Sequence, residues 1–440
     1  MKIIFSLWLT IILLSFLFPE GSITLNFSAL FIWMITVFWL LKKDSKFSMV
    51  FLFFVISFTV ASLSGLVAET GSFFSEIKQS SYLTGAVTRN LSLCAVLVLI
   101  SFQTHKILSN VSLIKVGMPS VLNELFQKII ILAVLISNMV LLSIYVKYGS
   151  PNDYNVDRFY YWSNIAPTWG GYFKFILIQM AIFLGLFYSY ELKKGYIALF
   201  LISLVSQILV GEKLTGLYIS VIFFLIPVVI NRNISMIKLL LHPKSIFLIC
   251  IGGVILFFII LASYNSLAGK GDGLDLFLNR LVLQSQMWWA VDNISNQHIH
   301  LADVLTHMLG FSAYSDEDTG IYYLMSRIAD PITFYWFYDK GITFTMASPV
   351  NFIYYFGPYW CYAAILPLAA ILGFAIHVLV KSIELNDLIL MFFTLKLFYI
   401  LIRVVTMGEV HLIFDYKFLI IMMMLVFYML QVRRRNYLNA

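Results

Sequence analysis

Runs of about 20 apolar residues, the length that spans a bilayer core, recur along the whole chain between short polar connections. Each run is apolar on all sides and lacks the two-residue alternation of a barrel strand. The pattern therefore predicts membrane-spanning helices and excludes an outer-membrane barrel. Twelve spans are expected, at 3–18, 23–41, 48–66, 86–103, 126–147, 172–190, 196–210, 216–230, 245–263, 353–380, 387–407 and 411–431. The expected fold is an all-α polytopic integral membrane protein, with 1–440 as a single membrane domain. Two polar stretches interrupt the series, at 148–171 and 264–350. Inside the longer one, Leu274–Val291 reads as a helix with Leu274, Phe277, Leu278, Leu281 and Trp288 on one side. Ile321–Ala329, ending before Asp330-Pro331, reads as a second helix. A large, structured loop among short ones is where an active-site cover is expected.

Composition agrees. Hydrophobic residues make up 61% of the 440 positions and charged residues 12%, a balance that would make the surface of a water-soluble domain one continuous apolar patch. Met1–Leu17 is read as the first span and not as a signal peptide, because Phe18-Pro19-Glu20 follows in place of a small-residue cleavage site. Cys94, Cys250 and Cys361 all fall in apolar segments, which argues against a disulfide framework or a zinc site. No internal repeat is visible, and the large loop follows span nine, an asymmetry unlike that of a two-halved transporter.

The net charge of +7 is explained by topology and needs no nucleic acid. With Met1 cytoplasmic, the inner connections hold Lys42, Lys43, Lys46, Lys106, Lys115, Lys193, Lys194, Arg232, Lys238, Lys244, Lys381 and Arg433-Arg434-Arg435. Those connections total about 65 residues, while about 140 outer residues hold only about ten Lys and Arg, so the positive-inside rule places both termini in the cytoplasm and both polar loops outside. The exceptions to that rule are the informative ones: Arg158, Lys213, Arg280, Arg327, Lys396 and Arg403.

Spans seven and eight are short, at roughly 22 Å against a core of roughly 30 Å. Their connection, Gly211-Glu212-Lys213-Leu214-Thr215-Gly216, is expected either to lie below the outer surface and line a cavity or to have Lys213 snorkel outward. Lys396 and Arg403 lie two turns apart on one face of span eleven, where a charge faces a bundle interior or pairs with a neighbour such as Glu409 or Asp415. Outward arginines beside a membrane cavity suit a diphosphate, because guanidinium grips phosphate oxygens in a bidentate fork. The plainer alternative pairs them with neighbours, Asp157 for Arg158 and Asp275 for Arg280. Phe334 to Tyr338 and Phe344 suit an interface belt or stacking on sugar rings. Asp316-Glu317-Asp318 reads as a solvated acidic turn, and the spacing of His298, His300 and His307 is not that of a zinc site. No metal and no cofactor is expected.

Several local pieces together give the chain a resemblance. Arg158 stands in an aromatic outer loop before Gly171-Tyr172, and Gly211-Glu212-Lys213 follows a later apolar run. Leu278-Asn279-Arg280 lies in the large loop, and Phe393-Thr394-Leu395-Lys396 near the C-terminus. In these pieces and in architecture the chain resembles the Wzy-type O-antigen (oligosaccharide repeat-unit) polymerases over about 150–400. It departs from the Arg-x10-Gly pattern of some members: eleven residues separate Arg158 from Gly170, and Arg280 has no glycine at that spacing. The resemblance implies a GT-C-like polymerase and ligase architecture in the bacterial inner membrane, with a periplasmic active site. It implies a glycosyltransferase that moves a growing glycan from undecaprenyl diphosphate to the terminal sugar of a new lipid-linked repeat unit, with a chain-length regulator membrane protein as a possible partner. Arg158, Lys213, Arg280, Lys396 and Arg403 would bind the diphosphate, with Arg158 and Arg280 acting on the leaving group. Glu212, Asp292, His307 and Glu409 are candidates for the general base. Two other readings stay open: a ligase of the same architecture, which commonly uses an outer-loop histidine, and a lipid-linked oligosaccharide flippase, which typically has short loops.

Overall fold

A computed structural model of the chain describes residues 1–110, 120–156, 158–212, 215–268, 273–295, 299 and 301–438. It is mostly helical. The helices relevant here are α1 Lys2–Leu17, α2 Ile23–Lys43, α3 Ser45–Glu69, α4 Ala86–Ser109, α5 Ser120–Tyr148, α6 Gly170–Glu191, α7 Lys194–Leu209, α8 Thr215–Asn231 and α9 Pro243–Ala268. Then follow α10 Gly273–Val282, α11 Gln286–Ile294, α12 Gly320–Ile328, α13 Pro331–Asp339, α14 Val350–Ala364, α15 Leu366–Glu384, α16 Leu388–Met407 and α17 Tyr416–Leu438. Among the described residues, seven helices are long and apolar enough to cross a membrane: α2, α3, α4, α5, α6, α15 and α16. Shorter apolar helices occupy the positions of the other expected spans. The protein is thus an all-α chain of multi-pass membrane character. The described strands are a two-residue pair, β1 Phe73–Phe74 and β2 Gln79–Ser80, in the turn after α3.

Burial shows which faces meet lipid and which meet protein. On α2, Ala29, Trp33, Thr36 and Leu40 are buried while Phe27, Phe31, Met34 and Phe38 stand exposed on another stripe at helical spacing. An apolar stripe of that size is stable when its solvent is lipid. By contrast, α6 is buried all round from Leu177 to Phe187, as a helix enclosed by others must be. Small residues let the inner helices approach closely, the usual device where no hydrophobic force separates lipid from protein. A Cβ on Gly185 of α6 would collide with the Phe224 carbonyl of α8, and one on Gly373 of α15 with the Ser101 carbonyl of α4. Buried indoles are satisfied across helices, Trp8 Nε1 donating to Thr36 Oγ1 and Trp33 Nε1 to Thr59 Oγ1, each at 2.9 Å.

Three expected elements come out differently. The span expected at 353–380 is two helices, because Gly357 takes φ 71°, ψ 171° and Pro358 follows it. Proline has no N–H to continue the ladder and clashes with the preceding turn. The helix expected over Leu274–Val291 breaks into α10 and α11 around a 3-10 turn at Leu283–Ser285. The last span begins at Tyr416, after a 3-10 turn at Val410–Ile413, and not at 411. The helix expected at Ile321–Ala329 is α12, shifted by one residue.

The connections gather into two sets. At one end, Lys46 Nζ bonds Glu384 Oε1 at 2.6 Å, Gln127 Nε2 bonds Glu191 Oε1 at 2.6 Å, and the Met236 amide donates to Ser45 Oγ at 3.0 Å. At the other, Tyr82 bonds Asn293, Lys78 pairs with Asp330 and Phe311 packs on Phe414. The described parts of the long polar stretch, 273–295 and 301–349, belong to this second end, where they cover the bundle.

Candidate functional site

The best-defined polar site at that second end is built around Glu212, in the turn between α7 and α8. Gly211 makes the turn with φ +89°, and a Cβ there would sit 2.5 Å from the Pro151 ring. The carboxylate then folds back over the start of α8. Gly216 N donates to its Oε1 at 3.2 Å, and a Cβ on Gly216 would lie 2.7 Å from the carboxyl group. The helix N-terminus favours the negative charge there. Lys174, one turn into α6, places Nζ 2.8 Å from Glu212 Oε2, and Arg158 places Nη1 3.0 Å from Oε1. Lys174 Nζ also lies 5.3 Å from the Phe175 ring centroid, and the Arg158 guanidinium 5.0 Å from that of Phe159.

These groups line a cavity of about 430 Å³, with Trp162, Lys340 and Tyr399 on other walls. Its described lining holds three cations, Arg158, Lys174 and Lys340, against one carboxylate. Burial pushes the Glu212 carboxyl up, but the charges of Lys174 and Arg158 and the bonds from Lys174 and the Gly216 amide outweigh it, and the group titrates below the ordinary Glu value. Glu212 is thus an anion clamped between two cations, and a poor base. A phosphate or diphosphate entering the cavity would compete for the same two cations.

The other expected site residues are dispersed. Arg280 pairs with Glu76, in the turn between β1 and β2, and Gln286 Nε2 donates to the same carboxylate. Among the described residues, the carboxylates that meet the two arginines are Glu212 and Glu76, and Asp275 is not the partner of Arg280. Arg403 pairs with Glu409 at 2.6 and 2.8 Å. Lys396 donates to Gln179 of α6, and Tyr399, on the cavity wall, is one turn away on α16. Asp292 takes a two-pronged ion pair from Arg89. His307 stacks on Tyr323, centroids 3.7 Å apart, with Nδ1 2.6 Å from the Asp318 carbonyl. Lys213, Asp157, His298 and His300 lie outside the described residues. Asp316–Asp318 forms a 3-10 turn.

Sequence reasoning missed Lys174, Arg89, Glu76 and Lys340. Lys174 and Arg89 had a signal, since each is a charge inside an apolar run, the same mark that singled out Lys396 and Arg403. Glu76 and Lys340 had none, for their roles come only from the folding of distant segments.

At the same end, His411 sits in a cradle of two glycines from the covering segment. Gly310 and Gly320 have φ +77° and +55°, and a Cβ on either would come within 3.0 Å of the His411 side chain. Burial holds the His411 imidazole below its ordinary titration range.

Among known proteins, a model of a family of unknown function, DUF6418, matches residues 314–422. The matched stretch includes Lys340, Lys396, Arg403, Glu409 and His411, and leaves out Arg158, Lys174, Glu212 and Arg280. No curated protein and no solved structure matches the chain.

Proposed function

We propose that the protein is a glycosyltransferase that polymerises lipid-linked oligosaccharide repeat units, with both termini in the cytoplasm, twelve crossings and the active site on the outer face of a bacterial inner membrane. One observation carries this reading. A cavity with an excess of positive charge, formed by Arg158, Lys174 and Lys340 around Glu212, lies at the end of the bundle that the described parts of the long polar stretch, 273–295 and 301–349, cover. The positive-inside bias assigns that end to the outside. Nucleotide sugars are not available there, so a transferase needs a donor that arrives on a lipid carrier, and a diphosphate is the matching leaving group.

In the reaction, the oxygen of an acceptor sugar hydroxyl bonds to the anomeric carbon of the donor glycan. The bond from that carbon to the lipid diphosphate breaks, and its electron pair leaves with the diphosphate. The hydroxyl proton passes to a base. Arg158 and Lys174 would stabilise the developing charge on the leaving group, the electrostatic work that often dominates such catalysis. Before the donor binds, Glu212 keeps the two cations neutralised and in position. Arg280, held by Glu76 apart from this pair, would act on a different part of the substrate or shape the cover.

A ligase is the second reading, and His307 favours it. With Nδ1–H donated to the Asp318 carbonyl, the neutral ring carries its lone pair on Nε2 and could serve as a base. Deletion of the gene in a host that makes lipopolysaccharide, followed by gel analysis, separates the readings. Core carrying one repeat supports a polymerase, core alone supports a ligase or a flippase, and an unchanged ladder rejects all three.

A further inference from the structure

A second cavity, of about 630 Å³, opens at the same end between the last turn of α1, the start of α4, α11 and α14. Its walls combine aromatic rings with planar polar groups. Phe16, Tyr82 and Tyr359 line it, the rings of Phe16 and Tyr359 lying 4.8 Å apart at 60°. Beside them are the Arg89 guanidinium, the Asp292 carboxylate and the Asn293 amide. Four of the five N–H groups of Arg89 are engaged: Nε donates to Asp292 Oδ1 at 2.8 Å, Nη2 to Asp292 Oδ2 and to the Thr84 carbonyl at 2.6 Å, and Nη1 to the Pro19 carbonyl at 3.1 Å. The Tyr82 hydroxyl donates to Asn293 Oδ1 at 2.6 Å.

The sign of the charge decides what fits. The described lining holds one cation, Arg89, against two carboxylates, Asp292 and Glu20. An anion would meet like charge and an arginine with four of its five N–H groups already bound. An acyl chain would bury the Glu20 carboxylate and the Asn293 amide N–H groups, which have no hydrogen-bond partner among the described residues, a cost it has no means to offset. A polyhydroxyl ligand meets neither obstacle. Carboxylate and amide oxygens accept from sugar hydroxyls, the amide N–H groups donate to them, and ring faces cover the apolar C–H faces of a pyranose.

We propose that this cavity is a carbohydrate subsite for uncharged sugar residues, separate from the cationic cavity of Arg158 and Lys174. It rests on the function proposed above only for the origin of the glycan. The two cavities divide a lipid-diphosphate glycan by charge, phosphates to one and sugars to the other.

Photocrosslinking tests this. Tyr359 is replaced by p-benzoylphenylalanine in the full chain, and intact cells making the lipid-linked glycan are irradiated. The purified protein is then treated with periodate, which opens vicinal diols, and with a hydrazide dye. The expected result is light-dependent dye on the protein, reduced about tenfold by adding Asn293→Ala and also reduced by Tyr82→Phe, since each removes a hydrogen bond from the subsite. No dye, adducts with the mass of fatty acyl chains, or dye unaffected by either substitution would overturn the proposal. Dye labelling in cells whose polymer ladder survives gene deletion would keep the carbohydrate site and sink the polymerase. Absence of label where deletion leaves single repeats would do the reverse.

Discussion

Glu212→Gln isolates the electrostatics of the cationic cavity, because the amide keeps the shape and can still accept from the Gly216 amide. Only the negative charge between Arg158 and Lys174 is lost. Removing one partner of a buried ion pair costs about 3–5 kcal/mol. Here the Glu212 side chain is 5% exposed and that of Lys174 10%, but that of Arg158 is 31% exposed. Water reaching Arg158 reduces the penalty, so roughly 2–3 kcal/mol is expected. The two cations are then left without their counter-ion, and an added polyanion should replace it. Pyrophosphate at about 100 times its dissociation constant would restore about 2.7 kcal/mol. The assay is thermal unfolding of the detergent-solubilised chain, followed by intrinsic fluorescence, with pyrophosphate or with chloride at equal ionic strength. The variant should melt several degrees below the wild type in chloride and regain most of that loss in pyrophosphate, with the wild type gaining less. A variant as stable as the wild type, or one that pyrophosphate stabilises no more than chloride does, would refute the view that Glu212 stands in for a bound phosphate.

Arg158→Lys keeps the charge and loses the fork, so polymer formation should fall by about 10²–10³ with normal membrane insertion, and lipopolysaccharide should carry mostly single repeats on a gel; a wild-type ladder at matched expression would remove Arg158 from the site. Because the Glu212 carboxyl titrates below the ordinary value of 4.5, its contribution to stability is complete above that pH and disappears as the pH falls beneath it. The gap in melting temperature between wild type and Glu212→Gln should accordingly narrow as the pH falls below 4.5, and a gap that stays constant there would contradict the ion pairing. Cysteine introduced at Ser315 should react with an impermeant reagent from outside the cell and cysteine at Asn233 should not; the opposite pattern would invert the orientation. Gly320→Ala puts a side chain at φ +55°, 2.9 Å from the His411 ring, and should lower stability by about 1–3 kcal/mol, read as a lower melting temperature.

The helices were legible because lipid leaves backbone groups no other way to be satisfied, so an apolar run of sufficient length admits one answer. Their breaks were less legible. Gly357-Pro358 lies inside a run that reads as continuous, and such pairs are tolerated where neighbouring helices and local adjustments take up the freed carbonyls. In the site, Arg158 and the 211–216 turn stood out, one as a cation against the topological rule and the other as a polar turn between two short spans. What joins them did not. Arg158 meets Glu212 across 54 positions and Arg280 meets Glu76 across 204, whereas for Arg280 sequence proximity points to Asp275. Short-range pairing is a sound rule on an isolated helix. It fails where loops from different hairpins are pressed together under a cover, because the chain path then sets the neighbours.

That difference bears on why the charges are there. A buried ion pair is weak grounds for stability, since apolar residues of similar volume often replace one at no cost. Lys174 belongs to α6, a helix buried all round from Leu177 to Phe187, and a lysine beside that run is a poor choice for packing alone. Arg280–Glu76 and Arg403–Glu409 are balanced one to one: the first ties the cover to the turn after α3, and the second braces the end of α16 locally. The Glu212 cluster is not balanced: two cations share one carboxylate, a third stands on the same cavity, and the space beside them is open. Such an excess of positive charge is stable in the empty protein only because part of it remains wet. It becomes favourable when an anion fills the cavity, so the arrangement makes physical sense as a site awaiting a phosphate and little sense as a structural brace.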